Sequence, residues 1–228
     1  MNALRLTARS FAVAALVCAA AASQAAIVSF TSLASYAGTG RTSVDRFSDQ
    51  TINTFPGVSL MRSVGGFGYQ VSSATGLYVA PVAGTIGLST ESESDALVFS
   101  NFSAMGGPVF AFGANFFATS PLGEVVTGTA AEILFATDIT FEAVDINGLT
   151  FSTTLIGNAT TRFMGFRSDV ALASVSARMT NPLPFFQGQQ VPVYVTADNV
   201  TFVPEPSSLM LVLAAGFAIP LLRARRRA

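Results

Sequence analysis

Hydrophobic and polar residues alternate with a period of two along most of this chain, in short runs separated by turn residues. Valine, phenylalanine, threonine and isoleucine fill the runs, and glycine, proline, asparagine, aspartate and serine cluster between them. This alternation is typical of strands that bury one face. It predicts strands at 67–71, 76–79, 85–88, 96–99, 109–117, 131–136, 140–144, 149–155, 162–166, 171–179 and 191–202.

No part of residues 26–203, which we call the body, shows the periodicity of an amphipathic helix. The strands are therefore expected to follow one another directly. Turn signals such as Asn147-Gly148 separate them, and Gly113 and Gly165 are interpreted as turns or bulges. Residues 26 to about 62 are expected to form one strand and a loop, with 53–66 the least regular stretch. The pattern predicts an all-β fold, an antiparallel β-sandwich of jelly-roll type.

The first 25 residues have the pattern of a signal peptide. Arg5 and Arg9 precede an apolar run over 11–22, and small residues follow it, so signal peptidase is expected to cut between Ala25 and Ala26. Cys18, the one cysteine of the sequence, lies in this leader. The mature chain therefore has no internal disulfide and no thiolate metal site.

The last 25 residues, 204–228, combine a proline-rich turn, an apolar run and a basic end. Pro204, Glu205 and Pro206 cannot continue a strand or enter a helix interior. Residues 209–222 would span roughly 21 Å as a helix at about 1.5 Å per residue, less than the roughly 30 Å hydrocarbon thickness of a bilayer. They predict one short transmembrane helix, with apolar positions at Leu209, Leu211, Leu213, Phe217, Leu221 and Leu222. The basic stop that would stay in the cytoplasm consists of Arg223, Arg225, Arg226 and Arg227.

This tail resembles the PEP-CTERM sorting domain of exported bacterial proteins, in which a Pro-Glu-Pro motif, a hydrophobic helix and a basic end occur in this order. The resemblance implies recognition by a membrane transpeptidase of the exosortase type. It also implies a brief stay in the inner membrane, followed by release to the cell surface or to the extracellular polysaccharide of a biofilm. A plain single-pass anchor without processing is the alternative.

A second resemblance lies within the body and concerns the ectodomain common among PEP-CTERM proteins. The segments that carry it are 94–99, 109–117, 163–168 and the Ala-Asp-Asn-Val-Thr-Phe stretch at 197–202. The resemblance implies a sandwich domain of unassigned activity, so it bears on location and fold more than on mechanism.

Removing both ends leaves one domain, 26–203, of roughly 178 residues, which is enough to bury a substantial core. It contains six arginines, no lysine and twelve acidic residues. Such a surface repels phosphate backbones, so nucleic acid is not an expected partner. Twenty phenylalanines and no tryptophan indicate an aromatic core.

Composition also limits the chemistry of the body, because the sequence has no histidine or lysine. Histidine-dependent nucleophiles, Schiff bases and histidine-bearing zinc sites are excluded. A carboxylate pair of the glycosidase kind is the remaining route, but the spacing selects no pair, so we expect no enzyme. The candidate acids are Glu91, Glu93, Asp95, Glu124, Glu132, Glu142 and Asp145.

Calcium is the one cofactor that the sequence leaves open. Glu93, Asp95, Asp198 and Asn199 could supply oxygen ligands if their loops converge. The alternative interpretation of Asp198 and Asn199 is a bulge in the last strand.

Two functions remain after these exclusions. The first is a non-catalytic exported protein with a structural or adhesive role at the surface. The second is a carbohydrate-binding module, assisted or not by calcium. The feature that would favour the module is a concave face with exposed Tyr69, Tyr78 or Tyr194 beside acids.

Overall fold

A computed structural model describes residues 26–38, 40–82, 84–105, 107–126, 137–156, 162–183, 185–186 and 189–204. The predicted leader, the strand at 131–136 with Glu132, and the tail from Glu205 to the basic stop lie outside these ranges. Among the described residues, none of the helices has the length and apolar character needed to span a membrane.

Within these ranges the chain is almost entirely β-structure. The one helix described, α1, is Leu33–Ala37. The strands are β1 (Ile27–Phe30), β2 (Ser43–Asp45), β3 (Gly57–Val64), β4 (Phe67–Val82), β5 (Thr85–Thr90), β6 (Leu97–Ala104), β7 (Ala111–Thr119), β8 (Ile139–Asp145), β9 (Thr150–Leu155), β10 (Arg162–Ser168), β11 (Leu172–Met179), β12 (Phe185–Phe186), β13 (Gln189–Gln190) and β14 (Tyr194–Phe202).

One sheet contains all of these strands except the small β12–β13 hairpin. Its order is β1-β10-β7-β14-β5-β4-β6-β11-β8-β9, with β2 added beside β14 and β3 beside β4. The pairings are antiparallel. The sheet curls on itself, since β11 contacts β7 and β14, and β1 contacts β9. The prediction of an antiparallel all-β fold is confirmed, whereas a jelly roll of two separate sheets stays a prediction.

The long strand β4 joins the two halves of this sheet. Its first part, up to Ser72, pairs with β3 and β6, and its last part, from Leu77, pairs with β5. Between these pairings, the backbone N–H of Thr75 donates to the Asp95 carboxylate at 2.8 Å. The two strands predicted at 67–71 and 76–79 are therefore one continuous strand.

Phenylalanine rings fill the space inside the curl, as the composition indicates. Phe99 and Phe112 have ring centroids 4.7 Å apart, and Phe116 and Phe141 have centroids 4.8 Å apart. All four side chains are fully buried. Because the body contains no cysteine, no disulfide stabilises it, and aromatic burial of this extent is the main contribution to its stability.

A buried ion pair connects three strands at the edge of this core. Arg62 of β3 donates through Nε and Nη2 to Asp45 of β2, at 2.9 and 2.8 Å, and the hydroxyl of Tyr69 in β4 donates to the same carboxylate at 2.8 Å. Arg62 also donates two hydrogen bonds of 2.7 Å to the exposed Asp49. Because Arg62 takes an inward position, the hydrophobic alternation of 57–64 is broken. The sequence interpretation of 53–66 as irregular was wrong there.

Two glycines face each other in the β7–β10 pair, Gly113 and Gly165. A Cβ on Gly165 would lie 2.6 Å from the fully buried ring of Tyr36 in α1. Both glycines lie in mid-strand and not in turns, and Gly113 borders the register shift between β7 and β14. The absence of a side chain at 165 lets α1 pack directly on β10.

Candidate functional site

A concave site lies beside the second half of β4 and encloses about 410 Å³. We name it the tyrosine cleft. Its volume falls within the range of about 300–1,000 Å³ that is usual for small-molecule sites. Its lining residues are Asn53, Phe55, Tyr78, Ser89, Thr90, Glu91, Ser120, Pro121 and Tyr194.

Two aromatic rings from distant parts of the sequence form one wall of the cleft. The rings of Phe55 and Tyr78 have centroids 5.2 Å apart and planes tilted by 40°. Phe55 is 63% exposed, which is unusual for so large an apolar side chain. The exposed Phe55 beside the half-buried Tyr78 offers an apolar surface to a ligand.

Backbone hydrogen bonds hold this wall in place. The N–H of Asn53 donates to the carbonyl of Val79 at 2.8 Å, and the N–H of Val79 donates to the carbonyl of Thr54 at 2.9 Å. The Tyr78 hydroxyl donates to Oδ1 of Asn53 at 2.6 Å. The segment before β3 is thus attached to β4 as an additional short pairing, and Phe55 has a fixed position.

Glu91 supplies a carboxylate at the polar side of the cleft. Its backbone N–H donates to the carbonyl of Gly76 at 2.9 Å, and its side chain is exposed. A Cβ on Gly76 would lie 2.1 Å from Oε2 of Glu91. Glycine at position 76 therefore leaves the space that the carboxylate occupies.

Thr90 contributes a hydroxyl that is unsatisfied within the described part of the chain. The residue is 1% exposed, and its Oγ1 has no hydrogen-bond partner there. Buried polar atoms are nearly always hydrogen-bonded, so such an atom in the wall of a cleft needs an explanation.

Two acidic residues, Glu91 and Glu93, act on the cleft. Burial raises the pKa of Tyr194, and the charge of Glu93 raises it further. Glu91 lies in the wall itself, and no arginine is among the lining residues that the structure describes. A negative charge on a ligand would be repelled here.

Two of the three tyrosines named from the sequence line this cleft, together with one of the acids. Tyr69 does not, because it is fully buried beside Asp45, and burial is the main reason that its pKa is raised. Sequence reasoning missed Phe55, Asn53 and Thr90. Only the exposure of a phenylalanine in a polar segment could have indicated Phe55, and a sequence does not report exposure.

The remaining candidate acids lie in other environments. Asp145 ends β8, where its Oδ1 accepts backbone hydrogen bonds from Asn147 at 2.8 Å and from Leu149 at 2.9 Å and so stabilises the turn to β9. Glu142 is exposed on β8 and lies in a separate groove that Arg178 also lines. Glu124 follows a turn in which its N–H donates to the Ser120 hydroxyl at 3.3 Å.

The calcium candidates Asp95 and Asp198 belong to different hydrogen-bond networks. Asp95 accepts from Ser73 and Thr75. Burial raises the pKa of Asp95, but the hydrogen bonds from Thr75 and Ser73 prevail and lower it. Across the described ranges, no group of three or more histidine, cysteine, aspartate or glutamate residues could hold a metal ion.

Asp198 is 2% exposed and sits at a register shift between β14 and β7, where Asn199 has a φ of 50°. This is the bulge considered from the sequence. Burial raises the pKa of Asp198, although hydrogen bonds from Thr85, Asn115 and Asn199 partly oppose this effect.

The Thr85 hydroxyl lies 2.6 Å from Oδ2 of Asp198 and 2.7 Å from the carbonyl of Val82. A hydroxyl has one proton to donate. If Asp198 is protonated, it donates to Thr85 and Thr85 donates to Val82, so every group is satisfied.

The described chain ends at Pro204, the first residue of the predicted sorting motif. Pro204 is exposed and lines a second, mainly apolar cavity of about 360 Å³ with Phe67, Met105 and Phe110. Glu205 and Pro206 lie outside the described residues.

Comparison with protein families, with curated proteins and with solved structures found no match to this chain.

Proposed function

We propose that this chain is a non-catalytic exported protein that its C-terminal tail delivers to the cell surface or the extracellular polysaccharide matrix. Signal peptidase removes residues 1–25, and the helix at 209–222 anchors the chain briefly in the inner membrane. An exosortase-type transpeptidase then cuts near the Pro-Glu-Pro motif. The body is a jelly-roll-like sandwich with a structural or adhesive role.

The observation that carries this proposal is the way the body ends. β14 finishes at Phe202, and the exposed Pro204 follows two residues later. The first residue of the motif thus lies at the surface of the folded body. An enzyme in the membrane needs such an accessible, extended substrate, and the proline favours that conformation.

The intact mass of the surface-associated protein tests the processing step. We expect a product that lacks residues 223–227, and a product that still carries these arginines contradicts cleavage. A variant with Pro204→Ala and Pro206→Ala keeps the apolar run and the arginines, so it serves as the matched control. It should stay in the inner membrane at full length, whereas equal delivery of this variant would contradict sorting by the motif.

A specific observation also favours a carbohydrate-binding role for the body. The tyrosine cleft combines exposed aromatic surface, two half-buried tyrosines and a carboxylate in one concavity. Aromatic rings that contact the apolar face of a sugar, beside polar groups that accept its hydroxyls, are the usual requirement of such a site. A glycan array probed with the purified protein tests this role, and an array without signal would favour the structural role alone.

A further inference from the structure

The geometry points to a defined ligand class: we propose that the tyrosine cleft binds a pyranose that carries no negative charge. The sugar lies with an apolar face on Phe55 and Tyr78, and its hydroxyl groups donate to Glu91. This inference rests on the carbohydrate-binding role of the body and specifies which sugars that role concerns.

The aromatic wall is ready for a ligand before any ligand arrives. Phe55 and Tyr78 are held by the backbone pairing of 53–54 with Val79 and by the hydrogen bond between the Tyr78 hydroxyl and Asn53. A wall whose backbone is already paired loses less conformational entropy on binding than a segment that must first be ordered.

The charges of the cleft exclude one large class of sugars. The carboxylate of Glu91 lies in the wall, and the charge of Glu93 acts on Tyr194. None of the described lining residues offers a positive charge that could pair with a uronate or a sulfate. An uncharged sugar in the cleft meets only hydrogen-bond acceptors and donors. A sugar with a free amine, which carries a positive charge, would be attracted by the carboxylates.

Thr90 supplies a second observation that points to a ligand. Its hydroxyl is almost completely buried in the cleft wall and has no partner in the described part of the chain. A polar atom without a partner destabilises the protein unless a bound molecule satisfies it. A small shift of the cleft wall on binding would let a sugar hydroxyl or a bridging water molecule supply that partner.

Gly76 leaves room for the carboxylate. Because position 76 has no side chain, Oε2 of Glu91 lies over the backbone of β4 there. Glu91 is exposed and forms no ion pair within the described residues, so its carboxylate is available to a ligand.

The test measures binding of oligosaccharides that differ only in charge to the full-length chain. The protein is purified in an amine-oxide detergent, since detergents with sugar head groups would compete. Calorimetric titration compares neutral galactose and glucose oligomers with the corresponding uronic acid oligomers of equal length. We expect the neutral oligomers to bind at least about tenfold more tightly at low salt, a difference that screening reduces at high salt.

Two variants locate the site, and each has a matched control. Phe55→Ala should weaken neutral-sugar binding about tenfold or more, whereas Met61→Ala, at an apolar position of similar exposure outside the cleft, should not. Glu91→Gln should weaken neutral binding and also reduce the discrimination against uronates. Glu142→Gln removes an exposed acid from β8 and should change neither value. Circular dichroism of each variant checks that the fold is retained.

The possible outcomes separate this inference from the broader role. Equal affinity for uronates and neutral sugars, or neutral binding that Phe55→Ala and Glu91→Gln leave unchanged, overturns the inference and leaves carbohydrate binding in place. Absence of binding to every oligomer overturns both. None of these results affects the sorting proposal, which depends on the tail.

Discussion

Asp45 and Asp49 bind the same arginine with nearly equal geometry but from different environments. The Asp45 oxygen lies 2.8 Å from Arg62 and that of Asp49 lies 2.7 Å away, yet their side chains are 6% and 63% exposed. Replacing each aspartate by asparagine removes one charge and preserves the side-chain shape. Asp45 also accepts hydrogen bonds from Tyr69 and from the N–H of Phe47, so the pair of variants compares a buried, fully bonded carboxylate with an exposed one.

The expected cost differs severalfold between the two positions. Removing one partner of a buried pair leaves an uncompensated buried charge and costs about 3–5 kcal/mol. Asp45→Asn leaves Arg62 its exposed partner Asp49 and one acceptor at position 45, so a value at the low end of this range, about 3 kcal/mol, is expected. Hydrogen bonds with Arg62 lower the pKa of Asp49, but most of this carboxylate is in water. Asp49→Asn should therefore cost only about 0–1 kcal/mol.

Urea unfolding, followed by circular dichroism and by the tyrosine fluorescence of a tryptophan-free protein, measures this difference. With a slope of roughly 2 kcal/mol per molar urea, Asp45→Asn should lower the midpoint by about 1.5 M and Asp49→Asn by less than about 0.5 M. Adding Arg62→Met to Asp45→Asn should recover part of the loss, because it removes the cation that has lost its buried partner. Equal midpoints for the two single variants would refute the argument from burial.

Three further perturbations test other parts of the structure. Because the pKa of Asp198 is raised in the folded protein, this residue contributes its full stabilisation below about pH 3.8, the ordinary aspartate pKa. The stabilisation is lost as the pH rises through the pKa of the folded state. The Asp198→Asn variant should therefore lose less stability than the natural protein as the pH rises through this range. Melting temperatures that fall equally with pH in the two proteins would contradict a raised pKa of Asp198. Gly165→Ala should destabilise by about 1–3 kcal/mol in urea because Tyr36 fills the space, and an unchanged midpoint would mean that α1 moves aside. Chelation with EDTA should leave the melting temperature unchanged, whereas a fall of several degrees would support a calcium site at Asp95 or Asp198.

The alternation of apolar and polar residues predicted correctly those strands whose inward positions are all apolar. In β8, Ile139, Phe141 and Ala143 face inward and are buried, so the sequence pattern and the burial pattern coincide. In β3 the inward position of Arg62 interrupts the pattern. That position is acceptable because Asp45 and Asp49, seventeen and thirteen residues earlier, compensate the charge, and no local rule contains this information.

The candidate site was predictable only in part, for a similar reason. Tyr78 and Tyr194 were identified by residue type, since tyrosine combines an apolar ring with a polar tip. Phe55 becomes a cleft residue through the pairing of Asn53 and Thr54 with Val79, which lies about 25 residues further along the chain. Thr90 is distinguished from other threonines only by its unsatisfied hydroxyl, which depends on its three-dimensional surroundings.

The position of β14 has a consequence for the order in which the body can fold. This nine-residue strand lies between β7 and β5, although it is the last strand of the body. A nascent chain that crosses a membrane N-terminus first therefore cannot complete its sheet until nearly all of the body has emerged. Until then, the edges of β5 and β7 are open to pairing with other chains. An anchor directly after β14 would keep these unfinished chains apart, tethered at the translocation site, until the final strand is inserted.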